Sequence, residues 1–260
     1  MKFYFACSYS VAFELKWLKR RVKNVLVSYY ALQKNENSYI EKIKEFSKIF
    51  NIFLDSGAFS SFTKKEEINI DKYIEFVYKV KEYIKLYAGL DVIGDWETTK
   101  KNIEYMESKG LNPLPTFHFK SPKEELERMI EKYNYIALGG LVPLATKKRI
   151  LKNWLDYCFT IIKNKTKVHG FGLFSSFALK RYPFYSIDTT SWNIGEKFGK
   201  TVELQNSKLK GFSKTYKPSK YVYYKNLTWK ERTDAVTENI IKLEKRITEL
   251  WTKRGFTWKD

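Results

Sequence analysis

The sequence alternates eight short apolar runs with longer amphipathic stretches, and this alternation limits the possible folds more than any other feature. Near-continuous apolar strands separated by helices indicate a parallel sheet that is covered on both faces. We therefore predict an α/β fold, an irregular (β/α)8 TIM-type barrel with a C-terminal helical extension. The predicted strands are residues 2–7, 24–30, 51–56, 85–93, 112–119, 135–141, 167–173 and 184–190.

The predicted helices between these strands include residues 71–84, 97–109, 121–132 and 146–163. The interval 175–183 has room for only a short helix, so we expect the barrel to be irregular there. We predict one barrel domain over 1–260, with the barrel core in 1–200. A basic aromatic segment and a closing helix follow in 201–260. Thr228 and Glu231 have the spacing of a capping box at the start of that helix.

Charge and composition limit the classes of partner. The chain has 48 basic and 29 acidic residues, a net charge of +19, which favours a polyanionic partner such as nucleic acid. A lysine-rich composition without a binding role and a membrane-surface role are the alternatives. Its two cysteines, Cys7 and Cys158, fit neither a disulfide framework nor a zinc site. With no membrane span and no signal peptide recognised, we expect a cytoplasmic protein, in the host cytoplasm if the chain is viral.

Polar residues follow several of the predicted strands, where a parallel barrel carries its chemistry. Each also has a structural explanation: Asp55 and Asp188 can begin turns or cap helices, and Asp95 is a good helix cap. A histidine between two phenylalanines is most often a hydrogen-bonded core residue, and paired glycines can form a tight turn. The strand-end set is Asp55, Asp91, Asp95, His118, Gly139, Gly140, His169, Gly170, Gly172 and Asp188.

Four strand-end motifs together resemble a known family. They are "FLDSGAF" (53–59), "ALGGLVP" (137–143), "VHGFGLFS" (168–175) and "YSIDTTSW" (185–192). In this order they resemble segments of the tRNA-guanine transglycosylases, enzymes of the queuosine pathway. The cysteine cluster and histidine of that family's zinc site have no counterpart here, and this chain is much shorter. It is more similar to the compact phage-type branch, which is associated with the insertion of 7-deazaguanine bases into DNA.

The resemblance implies a base exchange through a covalent glycosyl-aspartate, with Asp188 as nucleophile and Asp55 as general acid and base. No metal and no cofactor are implied. The incoming base would be a 7-deazaguanine such as preQ0 or preQ1. Asp91 is our candidate acceptor for its N1–H and amine. The other candidate base-binding residues are His118, Gly139, Gly140, Leu141, Phe59 and Gly170.

Contacts to a nucleic-acid backbone are expected from two basic segments. One follows directly on the Gly-Gly motif, and the other mixes lysines with aromatic residues in 207–232, a composition typical of single-strand binding. A solvent-exposed edge with tyrosines in the core explains the second segment equally well. The candidate contact residues are Lys147, Lys148, Arg149, Lys208, Lys210 and Lys214.

The sequence therefore predicts a transglycosylase that replaces guanine in DNA by a 7-deazaguanine derivative. Three alternatives stay open. The same exchange could act on tRNA, the barrel could bind nucleic acid without catalysis, or an N-glycosidase could remove the base without replacing it. The target nucleotide must leave its stack in any of the catalytic cases, by base flipping or in a single strand.

Overall fold

The computed structural model describes residues 1–7, 21–144, 147–194, 201–205, 208–212 and 228–258. Within 201–205 and 208–212, Leu204 is the one residue whose side chain is described. Eight parallel strands form one sheet in the order β4-β3-β2-β1-β8-β7-β6-β5, which confirms the predicted α/β class. The strands are β1 Lys2–Cys7, β2 Asn24–Ser28, β3 Asn51–Asp55, β4 Leu86–Tyr87, β5 Thr116–Phe117, β6 Tyr135–Leu138, β7 Lys167–Gly170 and β8 Ser186–Thr189.

The two edge strands of this sheet, β4 and β5, approach each other and curl the sheet into an irregular barrel. Ala88 and Leu114 form a parallel bridge. Leu114 N–H donates to Tyr87 O at 2.8 Å, and Gly89 N–H donates to Leu114 O at 2.9 Å. Both strands are shorter than the predicted 85–93 and 112–119. Pro113 and Pro115 explain part of this difference, because proline has no N–H to donate to a ladder.

Side chains alternate between the barrel interior and the helix-facing core. Neighbouring strands contribute Tyr4, Leu26 and Phe53 to an inner cluster, which Ala88, Leu114 and Ala137 complete. The residues between them along the strands, such as Phe3 and Leu54, pack outward into the larger core against the helices. This period of two follows from the strand geometry and decides which strand-end residues face the barrel axis.

Helices cover the outside of the sheet. They are α1 Tyr29–Leu32, α2 Glu36–Ser47, α3 Ala58–Lys64, α4 Ile70–Val80, α5 Trp96–Ser108, α6 Lys123–Lys132, α7 Lys148–Ile162, α8 Ser176–Arg181 and α9 Trp229–Lys253. The short α8 accounts for the predicted irregularity between β7 and β8. After β8, the strands β9 Thr201–Gln205 and β10 Lys208–Phe212 form an antiparallel pair.

The closing helix α9 has the predicted start and the predicted apolar face. Thr228 Oγ1 accepts from Glu231 N–H at 3.3 Å, and Thr228 N–H donates to Glu231 Oε2 at 2.6 Å, so the capping box is present. Trp251 Nε1–H near the other end of the helix donates to Leu179 O at 2.8 Å. The buried face of the helix includes Val236, Ile240, Leu243, Ile247 and Trp251.

The helices within the described ranges are all too short or too polar to cross a lipid bilayer.

Candidate active site

The strand alternation directs two aspartates into the same end of the barrel. Asp55, the last residue of β3, lies two positions after the inward Phe53. Asp188 on β8 is paired in register with the inward Tyr4 of β1. Because parallel strands all end at one edge, both carboxylates reach the carboxyl-terminal mouth of the barrel. The structure therefore brings the two predicted catalytic residues together.

Asp55 keeps its proton more strongly than an ordinary aspartate. Burial raises the pKa of Asp55 to about 8 from the ordinary 3.8, and the carboxylates of Asp91 and Asp188 add to the rise. The N–H of Gly57, which donates to Asp55 Oδ2 at 3.1 Å, opposes it. Gly57 has φ of +87°, and a Cβ there would lie 2.4 Å from Ser28 Oγ, so only glycine fits this turn. At neutral pH the Asp55 carboxyl group is mainly protonated.

Asp188 is held through one of its two oxygens. Gly172 N–H donates to Asp188 Oδ1 at 2.7 Å. His169 Nε2 lies 3.3 Å from the same oxygen. Gly172 has φ of +61°, and a Cβ there would lie 2.3 Å from Val142 Cγ2, so the loop after β7 packs closely against the loop after β6. Within the part of the chain that the structure describes, both contacts to this carboxylate go to Oδ1.

A third carboxylate, Asp91, lies beside the first two and has polar neighbours of its own. Ser56 Oγ–H donates to Asp91 Oδ1 at 3.2 Å. The residue His118 directly follows β5. Its Nε2 atom lies 3.0 Å from Asp91 Oδ2 but is not aligned for a hydrogen bond. His118 is 4 % exposed and Asp91 retains 11 % of its side-chain surface, so this group faces the mouth from a largely buried position.

The glycines assigned to base binding have structural roles that the geometry now specifies. A Cβ at Gly139 would lie 2.8 Å from His118 Cε1, so the absence of a side chain makes room for that ring. Gly140 has φ of +71° and turns the chain after β6. A Cβ at Gly170 would lie 3.0 Å from Phe184 Cε1, which indicates packing on the outer side of β7. The Leu141 side chain is buried in the outer core. Their contacts to a base stay predictions.

The remaining candidates lie around the mouth or outside the described side chains. Phe59 on α3 is 48 % exposed and is therefore accessible for stacking. Lys147, Lys148 and Arg149 are exposed at the start of α7, which the turn Val142–Leu144 connects to Gly140 and Leu141. Lys208 and Lys210 lie on β10, where only the backbone is described, and Lys214 lies outside the described residues.

Asp95 is a helix cap, as the sequence predicted. Its Oδ1 accepts from Thr98 N–H at 3.0 Å and its Oδ2 from Thr98 Oγ1–H at 2.6 Å, so it caps α5. These hydrogen bonds from Thr98 lower the pKa of Asp95. Asp95 therefore caps a helix near the mouth and is not part of the group formed by Asp55, Asp91 and Asp188. Among the described residues, no three His, Cys, Asp or Glu side chains are grouped as metal ligands.

Sequence reasoning did not assign a role to two hydroxyl groups beneath the mouth. Ser186 lies two residues before Asp188 on β8 and therefore also points inward. Its Oγ lies 2.5 Å from His169 Nδ1 and 2.5 Å from the hydroxyl of Tyr135. The alternation along β8 is the one sequence signal that places Ser186 inside. The contact with Tyr135 depends on the β6–β7–β8 register and has no local signal.

The combined arrangement is a protonated carboxyl group, a positioned carboxylate and a third carboxylate that can accept two donors. Such a set suits an exchange at a glycosidic carbon, which needs a nucleophile, a proton donor and a group that holds a heterocycle by its edge. Neither a protein-family model nor a curated protein sequence matches this chain. No family is therefore shown for the chain, and the interpretation of the site depends on its geometry.

Proposed function

We propose that this protein is a base-exchange transglycosylase that replaces guanine in DNA by a 7-deazaguanine derivative. Asp188 Oδ2 attacks the sugar C1′, the bond from C1′ to the base breaks, and the departing base takes its proton from Asp55. The incoming base then attacks C1′, the bond from C1′ to Asp188 breaks, and Asp55 accepts the ring-nitrogen proton. Each half-reaction restores the protonation state that the other requires.

One observation carries this proposal. A carboxyl group with a pKa of about 8 lies beside two other carboxylates, one of them fixed by a backbone N–H through a single oxygen. General acid–base catalysis at neutral pH needs a group of about this pKa. Strongly perturbed pKa values cluster at functional sites, which supports catalysis at this end of the barrel.

The incoming base is recognised by Asp91 and its neighbours. A guanine-like edge presents an N1–H and an amine, and a carboxylate accepts both together. Ser56 Oγ–H donates to Asp91 Oδ1, and His118 Nε2 lies 3.0 Å from Asp91 Oδ2. The resemblance to the phage-type branch is our reason for proposing preQ0 or preQ1 as the base, and a 7-deazaguanine presents the same donor edge to Asp91 as guanine does.

The nucleic-acid backbone is proposed to pass over the start of α7. The first turn of α7 has no acidic residue, although the helix dipole favours acids there and disfavours Lys148 and Arg149. No ion pair among the described residues neutralises Lys147, Lys148 or Arg149. Exposed cations that the local structure does not favour support binding of phosphate groups.

The test of the function is incorporation of a labelled base. Purified protein is incubated with labelled guanine, preQ0 or preQ1 and with single-stranded DNA, duplex DNA or tRNA. Nucleosides from the digested nucleic acid are then analysed by mass spectrometry. We expect label in DNA. Label in tRNA alone would assign the exchange to tRNA, release of free base without incorporation would indicate an N-glycosidase, and no reaction with folded protein would contradict catalysis.

The double substitution Lys147→Ser and Lys148→Ser should weaken binding of a single-stranded oligonucleotide and make it less dependent on salt. Removing two phosphate contacts lowers the slope of log K against log salt by about 1 to 2. Fluorescence anisotropy across a salt series measures the slope. The matched control, Lys163→Ser with Lys165→Ser, removes two exposed lysines after the other end of α7. Equal slopes for the two double variants would contradict the assignment.

A further inference from the structure

A buried chain of polar groups lies behind Asp188 and is not used by the reaction described above. It runs from the Tyr135 hydroxyl to Ser186 Oγ at 2.5 Å and from there to His169 Nδ1 at 2.5 Å. His169 Nε2 then lies 3.3 Å from Asp188 Oδ1. His169 and Ser186 are both 0 % exposed. The chain therefore connects the barrel interior to the carboxylate at the mouth.

The direction of the hydrogen bonds follows from the chemistry of the two ends. Burial raises the pKa of Tyr135 well above its ordinary value, so its hydroxyl keeps its proton, and this hydroxyl donates to Ser186 Oγ when Ser186 Oγ–H is directed at His169 Nδ1. Ser186 Oγ–H then donates to His169 Nδ1, which leaves the ring proton on Nε2, facing Asp188. The opposite direction would aim the Nε2 lone pair at a carboxylate oxygen and would be repulsive.

Aromatic rings fix the plane of the His169 ring. Phe53 and Phe171 contact it edge to face, with ring centroids 5.1 and 4.6 Å away, and Tyr4 lies at 6.1 Å. These rings also leave Nε2 buried, and it has no hydrogen-bond partner among the described residues. A buried N–H without a partner is costly, so His169 Nε2–H gains when Asp188 Oδ1 turns toward it.

We propose that His169, with Ser186 and Tyr135 behind it, is a positioning residue that holds Asp188 Oδ1 so that Oδ2 faces the sugar C1′. Gly172 N–H and His169 Nε2–H together fix the carboxylate plane. In the glycosyl-enzyme, C1′ is bonded to Oδ2, and Oδ1 remains as the carbonyl oxygen that both donors hold. The role of this chain in catalysis rests on the proposed function, whereas the pairing of His169 with Asp188 is a property of the free protein.

The pairing of His169 with Asp188 can be tested without any activity assay, because the protein contains only two histidines. Nitrogen-15 NMR of histidine-labelled protein reports the tautomer of each ring, and the spectrum of His118→Gln identifies the signals of His169. We expect the Nε2–H tautomer for His169, a shift of its Nε2 signal in Asp188→Asn, and a mixture of tautomers in Ser186→Ala. An Nδ1–H tautomer, or His169 signals unchanged by Asp188→Asn, would overturn the proposal.

The catalytic consequence is tested by steady-state exchange. His169→Ala should lower kcat by about 10- to 100-fold with an unchanged KM for the incoming base. His169→Gln, which keeps an N–H donor at a similar reach, should restore part of kcat. A structural role alone would lower the yield of folded protein in both variants without separating kcat from KM.

Milder variants keep the test informative if the His169 variants do not fold. Tyr135→Phe removes one hydroxyl from the chain and should lower kcat by about 2- to 10-fold. Its control is Tyr185→Phe, which removes a hydroxyl from a ring in edge-to-face contact with Tyr135, and that hydroxyl accepts from Lys2 Nζ at 2.6 Å. Equal kcat for these two variants would contradict the proposal. Absence of exchange in the parent protein would refute the proposed function but would leave the NMR result standing.

Discussion

Replacing Asp188 by asparagine should abolish base exchange and the covalent intermediate together. The amide cannot form a glycosyl ester, so we expect the exchange rate to fall on the order of 10³-fold or more. The fold should remain, because the asparagine Oδ1 can still accept the Gly172 N–H that Asp188 accepts at 2.7 Å. Exchange is measured with labelled base, and the covalent adduct is detected by mass spectrometry of protein denatured during turnover.

Asp95→Asn is the matched control for this substitution. It makes the same chemical change near the same end of the barrel, and asparagine caps helices as well as aspartate does. The variant should therefore retain exchange at close to the parental rate. An Asp188→Asn protein that still exchanges bases, or an adduct located on another residue, would remove Asp188 from the role of nucleophile.

Replacing Asp55 by asparagine should stop exchange and at the same time stabilise the protein at alkaline pH. The amide can neither give a proton to the departing base nor take one from the incoming base, so we expect a loss of about 100-fold or more in rate. The stabilisation has a separate cause. In the parent, ionised Asp55 lies beside the carboxylates of Asp91 and Asp188, and the substitution removes one of these like charges.

The sign of the pH dependence follows from the two pKa values of Asp55. The folded protein releases this proton at about pH 8, whereas the ordinary value is 3.8. Between these values the folded protein binds a proton that the unfolded chain has released. The contribution of Asp55 to the free energy of unfolding therefore decreases as the pH rises through this range and is constant above it.

Denaturant unfolding from pH 4 to pH 9 measures this effect. The stability of Asp55→Asn relative to the parent should increase up to about pH 8 and then level off, with a total gain above about 1 kcal/mol. Asp95→Asn should show almost no change over this range, because the hydrogen bonds from Thr98 lower the pKa of Asp95 and its titration is therefore complete below about pH 4. A stability difference between Asp55→Asn and the parent that does not change with pH would contradict the raised pKa.

The same carboxylate cluster thus explains both expected effects. Ionised carboxylates in one largely buried mouth repel each other, and protonation of Asp55 relieves that repulsion in the free protein. In the proposed reaction, positive charge develops at the sugar C1′ while the base departs and Asp188 attacks. Under the proposed function, the like charges that lower the stability of the free protein serve the exchange reaction, an opposition of stability and function that is common at active sites.

Much of the fold follows from local patterns in the sequence. The alternation of apolar runs and helices predicts the eight strands, and the capping box at Thr228 and Glu231 predicts the start of the closing helix. The edge strands are the main difference. Their pairing is reduced to a few hydrogen bonds around Ala88 and Leu114, because prolines interrupt the ladder and closure depends on contacts distant in sequence.

The sequence also identifies the residues at the strand ends, but it does not show which of them cap helices and which face the barrel interior. Asp55 and Asp95 look alike as caps in the sequence. In the structure, Asp95 caps α5 whereas Asp55 points into the barrel with a raised pKa. The difference arises because the pKa of a carboxyl group depends on the burial and charges around it, and those come from strands that are far apart in the chain.

The sequence by itself determined the parallel α/β barrel, the closing helix and the positions of Asp55 and Asp188 at strand ends, because these depend on patterns within single elements. Only the tertiary structure decided that Asp91 joins their cluster and that Tyr135, Ser186 and His169 form a chain reaching Asp188 Oδ1. Such contacts depend on the register between strands and on barrel closure, and no local pattern of residues encodes that register.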